Sequence, residues 1–159
     1  MLSIHETTAQ DGAAILRIAS AEPLFNQQEA DTVAELLRDY LERADHNGYY
    51  FLSAEAEGTL LGFACFGPTP LTHGTFDLYW ICVRRDVQRT GAGKALMQRV
   101  EEEVRRQAGR LIVLDTSGRP EYAPTRHFYE SLGYTQAATL PDFYAPGDDL
   151  VLFLKRLTD

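Results

Sequence analysis

Apolar and polar positions recur along the chain with two different periods, and each switch between them marks a change of element. Residues 2–7 read as a short first strand. Asp11 stands where an N-cap would stand for a helix carrying Ala14, Ile15, Ile18 and Ala19 on one face. Val33, Leu36, Leu37, Tyr40 and Leu41 then recur at helical spacing behind an Asn26/Glu29 pair arranged as a capping box. A second helix with a core-facing stripe is therefore expected. From residue 49 the period shortens. Two strands over 49–56 and 60–66 are joined by Glu57-Gly58-Thr59, a hairpin connection, and Pro68 and Pro70 close the second strand. Residues 75–83 are aromatic and β-branched on both alternating faces except at Asp77, the pattern of a central strand buried on both sides.

The second half repeats the alternation with longer connections. Leu96, Val100 and Val104 mark one side of a helix running to about residue 107, with Gly109 as its stop. Residues 111–115 form a short apolar strand. A strand, a helix and a strand in that order leave no room for a hairpin, so the two strands pair in parallel through a right-handed crossover. A last helix over 124–132 ends at Gly133, and residues 149–155 supply a closing strand. With 159 residues, no internal repeat and no linker, the whole of 1–159 reads as a single domain.

Charge narrows the partners. Fifteen Lys and Arg against 23 Asp and Glu give a net charge of -8, a field that repels a phosphate backbone and mildly favours a cationic substrate. No nucleic-acid partner is expected. Cys65 and Cys82 lie inside apolar strand-like runs and read as small buried hydrophobes in a reducing cytoplasm. The N-terminus lacks a basic segment followed by an apolar stretch, and no apolar run reaches membrane-spanning length, so no membrane partner is expected either.

Against this acidic background, the segment Gln88-Arg89-Thr90-Gly91-Ala92-Gly93-Lys94 between a strand and a helix stands out. Its glycines let the main chain approach an anion, and the first free N–H groups of the following helix point outward at it. Arg84, Arg85 and Arg89 crowd the same loop. It is not a phosphate-binding loop of the Gly-Lys-Ser/Thr kind, because Ala95 follows Lys94, and it lacks the third glycine of a dinucleotide-binding turn. Taken alone, the segment is either an anion cradle or an ordinary tight turn.

At this point the sequence resembles the GCN5-related N-acetyltransferases (the GNAT family). Their central motif, Gln/Arg-x-x-Gly-x-Gly/Ala, is matched by Gln88, Gly91 and Gly93. A second family segment is similar to Phe128-Tyr129-Glu130-Ser131-Leu132-Gly133-Tyr134, and the order of elements looks alike over essentially the whole chain. The resemblance implies an α/β (α+β) single-domain fold: a central mixed, mostly antiparallel sheet of six to seven strands with one parallel pair, flanked by about four helices. It implies acetyl-CoA as co-substrate, an amine as acceptor and no metal. Main-chain groups of Ile81, Cys82 and Val83 would pair with the pantetheine arm, and those from Gln88 through Arg89, Thr90, Gly91, Ala92 and Gly93 to Lys94 would hold the pyrophosphate. Exposed strand edges of the fold would allow a homodimer.

The implied transfer needs a neutral amine, a stabilised oxyanion and a leaving thiolate. Asp77 stands eleven residues before Gln88, where some family members carry a glutamate base; the alternative is that it pairs with a neighbour or caps a turn. Tyr129 would sit near the thioester sulfur and give it a hydrogen bond or a proton, and a main-chain N–H of the central strand would meet the oxyanion. Tyr122 and Thr125 replace the Asn and Ala that the family often carries there, which leaves room for a non-catalytic CoA-binding domain. His5, His46, His73 and His127 show no ligand spacing, so no metal site is expected; His73 reads as a turn residue. Asp115-Thr116-Ser117 touches the cofactor or caps a turn. Tyr122, Phe143 and Tyr144 offer an aromatic wall for an acceptor, and residues 141–147 read as a loop beside it.

Overall fold

The computed structural model describes residues 1–43, 45, 48–88 and 90–157. Its strands are β1 (Leu2–Glu6), β2 (Tyr50–Ala56), β3 (Thr59–Pro68), β4 (Thr75–Val83), β5 (Leu111–Ser117), β6 (Thr135–Ala145) and β7 (Asp148–Arg156). The helices are α1 (Gly12–Ala21), α2 (Gln27–Glu42), α3 (Ala92–Arg106) and α4 (Ala123–Ser131). The seven strands form one sheet in the order β1-β2-β3-β4-β5-β7-β6. The mixed sheet with a parallel β4–β5 pair is the architecture the sequence implied. Contacts divide the chain into two compact units, Met1–Pro68 with Leu78–Glu103 and Thr69–Asp77 with Val104–Asp159.

In the first unit, β1, β2 and β3 form an antiparallel meander with Leu2 opposite Ala56 and Tyr50 opposite Phe66. Its core joins Ile15, Ile18 and Ala19 of α1 to Val33, Leu37 and Tyr40 of α2 and to Phe51, Phe63 and Cys65 of the strands. Each fully buried phenylalanine contributes roughly 2–3 kcal/mol by leaving water. The Asn26 cap forms as the spacing predicts, its side chain accepting from the Glu29 amide at 2.8 Å. Leu41, by contrast, stays 38% exposed, because the helix turns it beyond the edge of the apolar stripe. Asp11 precedes α1, but its carboxylate does not cap that helix. It accepts from the Thr8 amide (2.9 Å) and the Ser53 hydroxyl (3.2 Å).

In the second unit the parallel ladder pairs Thr75, Phe76 and Asp77 with Leu111, Ile112 and Val113. β7 lies antiparallel between β5 and β6. Here the structure corrects three expectations. β6 is an eleven-residue strand, all of it exposed, and it takes in most of the stretch expected as a loop; only the turn around Gly147 remains. Its polar and apolar positions do not alternate, because no face of it is buried and no period is imposed. β4 is buried on one face only, through Phe76, Leu78 and Cys82, while Asp77, Tyr79 and Ile81 are half-buried. Gly109 is not the left-handed stop after α3. Ala108 takes that conformation at φ 61°, and Gly109 is glycine for space, since a Cβ there would meet Val104 Cγ1 at 2.3 Å.

Candidate active site

The loop between β4 and α3 is built by a 3-10 turn (Arg85–Val87) followed by an extended Gln88. Thr90 Oγ1 donates to the Val87 carbonyl at 2.6 Å and closes the loop on itself. Gly91 has φ 91° with open space where a Cβ would stand, so backbone conformation alone selects glycine there. The first hydrogen bond that enters α3 runs from the Ala95 amide to the Gly91 carbonyl at 2.9 Å. Among the described residues, the N–H groups of Gly91, Ala92 and Lys94 precede the helical ladder and find no main-chain acceptor. Free main-chain N–H groups at a helix start can accept an anion. Arg89, nominated with these residues, lies outside the described residues, as does His46.

The arginines do not act as the composition suggested. Arg84 is held in a two-point pair by Asp86, at 3.1 and 2.5 Å. Arg85 donates to Glu22 Oε1 at 2.6 Å, and Glu22 is only 10% exposed. Two of the three guanidiniums are thus already paired, which leaves the helix terminus as an attraction for an anion that does not depend on them. Glu22 also accepts from the Cys82 thiol at 3.8 Å. Burial, with that carboxylate beside it, pushes the Cys82 thiol up to about 12. Cys82 is accordingly an inert strand residue. Its carbonyl passes so close to β3 that a Cβ on Gly62 would meet it at 2.6 Å. Ile81 and Val83 flank it, half-buried.

Tyr129 is carried by α4 in the second unit. The helix ends in a tight cap: the Tyr134 amide reaches the Tyr129 carbonyl and the Gly133 amide the Glu130 carbonyl, each at 3.1 Å, with Gly133 at φ 92°. The Tyr129 ring packs against Phe128, Tyr134 and Phe153 with centroids 5.5 to 6.1 Å apart. Burial first, then the charge of Asp115, raises the phenol above its usual value. Among the described residues the hydroxyl has no hydrogen-bond partner, yet no fully buried side-chain polar atom lacks one. The Tyr129 oxygen therefore reaches the edge of its pocket with its proton unassigned.

Asp77 is half-buried on β4 and accepts a hydrogen bond from Thr69 Oγ1 at 2.8 Å. No cation pairs with it among the described residues. The sequence did not connect Asp115 with Tyr144, 29 residues apart; the Tyr144 hydroxyl donates to Asp115 Oδ2 at 2.7 Å. Tyr144 stacks edge-on with Phe143 at 5.1 Å, and its phenol is raised by burial, by Asp115, and by the nearby Asp148 and Tyr122. Only the register of β6 against β7 brings these groups together, and that register was not legible in the sequence. Ser117 Oγ donates to Asp148 Oδ1 at 2.5 Å and accepts from the Arg119 amide, and so caps the turn after β5. The Arg110 guanidinium donates to the His73 carbonyl at 2.7 Å, in keeping with His73 as a turn residue. A cleft of about 670 Å³ along α1 and the β2–β3 hairpin shares no residue with the 88–94 loop or with Tyr129.

Comparison with known proteins gives one consistent picture. Residues 13–134 match the model of the acetyltransferase (GNAT) family. A crystal structure of an acetyltransferase of that family from Desulfovibrio desulfuricans superposes with a TM-score of 0.95 at 38% identity, over 99% of this chain and 100% of that one. An uncharacterized N-acetyltransferase of Methanocaldococcus jannaschii is 27% identical over 143 residues, 83% of this chain and 88% of its own. An acetyltransferase from Salmonella typhimurium, solved with acetyl-CoA, shares the fold at 22% identity and a TM-score of 0.79, over 100% of this chain and 95% of that one.

Proposed function

The chain belongs to the GNAT acetyltransferase family, hence is an acetyl-CoA-dependent acyltransferase whose chemistry needs no metal, and we propose that it acetylates a primary amine of a small molecule by direct attack in a ternary complex. The observation that carries this reading is the Tyr129 hydroxyl, on a buried ring and without a hydrogen-bond partner among the described residues. A domain that only bound CoA would have no use for a donor kept in that state. The residues 1–159 act in this reading as a single N-acetyltransferase domain.

In this mechanism the main-chain N–H groups from Gln88 to Lys94 hold the pyrophosphate of acetyl-CoA. The main chain of Ile81, Cys82 and Val83, beyond the three-residue parallel ladder, pairs with the pantetheine arm as a short added strand. Asp77, a carboxylate whose hydrogen-bond partner is a neutral hydroxyl, takes the proton that the attacking amine must lose, directly or through water. The amine nitrogen bonds to the thioester carbonyl carbon, a main-chain N–H of β4 meets the oxyanion, and the C–S bond then breaks. Tyr129 meets the departing sulfur. An ordinary phenol near 10 is already a weaker acid than a thiol near 8.5, by about 2 kcal/mol, and burial weakens it further. Tyr129 therefore stabilises the thiolate by a hydrogen bond, and the proton that finally neutralises sulfur comes from the amine.

The acceptor reading rests on Asp115 and Asp148 beside Tyr122, Phe143 and Tyr144. An acidic group framed by aromatic faces suits a cationic amine better than an anionic or apolar one. A thiol-release assay with acetyl-CoA and a panel of amines tests the proposal. Amine-dependent CoA release supports it, while tight CoA binding with no release across the panel would favour the non-catalytic module. A homodimer through the exposed β6 edge fits the same fold and is measured by sedimentation.

A further inference from the structure

Away from the cradle and Tyr129, three side chains from separate elements of the first unit converge: His5 of β1, Asp11 of the turn before α1, and Glu55 of β2. One ligand atom of each lies within 4.8 Å of those of the other two. His5 Nδ1 lies 2.9 Å from the Glu6 carbonyl, which can only accept, so Nδ1 carries a hydrogen. In the neutral ring Nε2 then presents a lone pair, and it faces Glu55 Oε2 at 4.0 Å. Two acceptors facing each other repel unless a cation stands between them. Asp11 stands beside the same ring, its Oδ2 3.8 Å from Nδ1 and a carboxylate oxygen within 4.8 Å of one of Glu55. That oxygen takes every hydrogen bond recorded for this carboxylate, from the Thr8 amide, the Thr8 hydroxyl and the Ser53 hydroxyl.

We propose that His5 Nε2, Asp11 and Glu55 form a binding site for a first-row divalent cation of the zinc type, separate from acyl transfer. Zinc bonds of about 2.1 Å place two tetrahedral ligands about 3.4 Å apart, so the His5–Glu55 gap needs to close by only about half an ångström. Both side chains are partly exposed, 35% and 38%, and free to make that adjustment. The surrounding bonds are those of a ligand set already oriented: an imidazole whose second nitrogen is tied to a main-chain carbonyl, and a carboxylate fixed through one oxygen. Asp11 and Glu55 also line the 670 Å³ cleft, which gives an ion a path of entry and room for water ligands. A bound ion would pin β1, the turn and β2 together. Spacing along the chain could not disclose the set, because its members lie at positions 5, 11 and 55 and meet only through the β1–β2 register, in which Ser3 faces Glu55 and His5 faces Ser53.

The test is calorimetric titration of the chelator-stripped full chain with zinc, alongside the visible absorption of added cobalt. One equivalent should bind, with a cobalt band showing nitrogen and oxygen ligation. His5→Ala and, separately, Glu55→Gln should each weaken binding by roughly tenfold or more, while His127→Ala leaves it unchanged. Glu55→Gln conserves shape at a partly exposed strand position, so it reports on ligation even if His5→Ala disturbs β1. Absence of saturable binding, or binding unaffected by both variants, overturns the site and leaves His5 as a structural partner of Glu6 and the two carboxylates.

Discussion

Replacing Tyr129 with phenylalanine separates the chemical role of its hydroxyl from the structural role of its ring. The ring contacts to Phe128, Tyr134 and Phe153 survive the change, and no hydrogen bond among the described residues is lost. Stability should therefore move by less than about 0.5 kcal/mol, or roughly 1–2 °C in Tm for a chain of this size. The catalytic effect is larger. A hydrogen bond from a buried donor to a developing thiolate is worth about 1.5–3 kcal/mol, so kcat should fall roughly ten- to 150-fold. Acetyl-CoA affinity should hold, because the cradle is untouched. The phenol is also raised above its usual value, so the wild-type rate should show no alkaline loss from Tyr129 below about pH 10. Initial rates by thiol release, with calorimetric CoA binding and a thermal melt on the same samples, decide the matter. A Tyr129→Phe variant that keeps half or more of wild-type kcat, or loses activity only in step with its stability, would refute the role.

Other outcomes follow from the same geometry. Gly91→Ala forces a side chain onto φ 91° where no neighbour interferes, so it should cost about 1–2 kcal/mol of local strain and weaken acetyl-CoA binding measured by titration calorimetry. Ala108→Gly should stabilise the chain by about 1 kcal/mol by relieving φ 61°, whereas Gly109→Ala should destabilise it by about 1–3 kcal/mol through contact with Val104 and the Phe76 ring; chemical denaturation of the pair tests the opposite signs. Cys82 and Tyr40, pushed up to about 12 from 9.0 and 10.0, keep protons in the fold that the unfolded chain gives up earlier. Their contribution is complete below about pH 9 and is lost as pH climbs towards 12, so the urea midpoint should fall over that window, and iodoacetamide at pH 8 should not label the native thiol.

What the sequence disclosed followed how far each signal reaches. The Asn26–Glu29 cap, the α2 stripe and the Gly133 stop are contained within a turn or two of chain, and each forms as read apart from Leu41. The parallel β4–β5 pair was deducible because a strand, helix and strand leave no other connection. β6 escaped because an edge strand exposed along its whole length has no buried face to impose a period. Ala108 displaced the expected glycine because close packing, not conformation, fixes Gly109. The glycine-bearing turn before α3 was visible in the sequence, but the pairing of Arg84 with Asp86 and Arg85 with Glu22 was not, and the second of those spans 63 residues. The Asp115–Tyr144 bond is likewise a product of strand register.

Direct attack within a ternary complex is tested most directly by initial rates with acetyl-CoA and the best amine of the panel both varied. Reciprocal plots that intersect, with one acetylated amine formed per CoA released and no acetyl group left on the protein, are the predicted result. Parallel lines with an acetylated enzyme detected by mass spectrometry would contradict it.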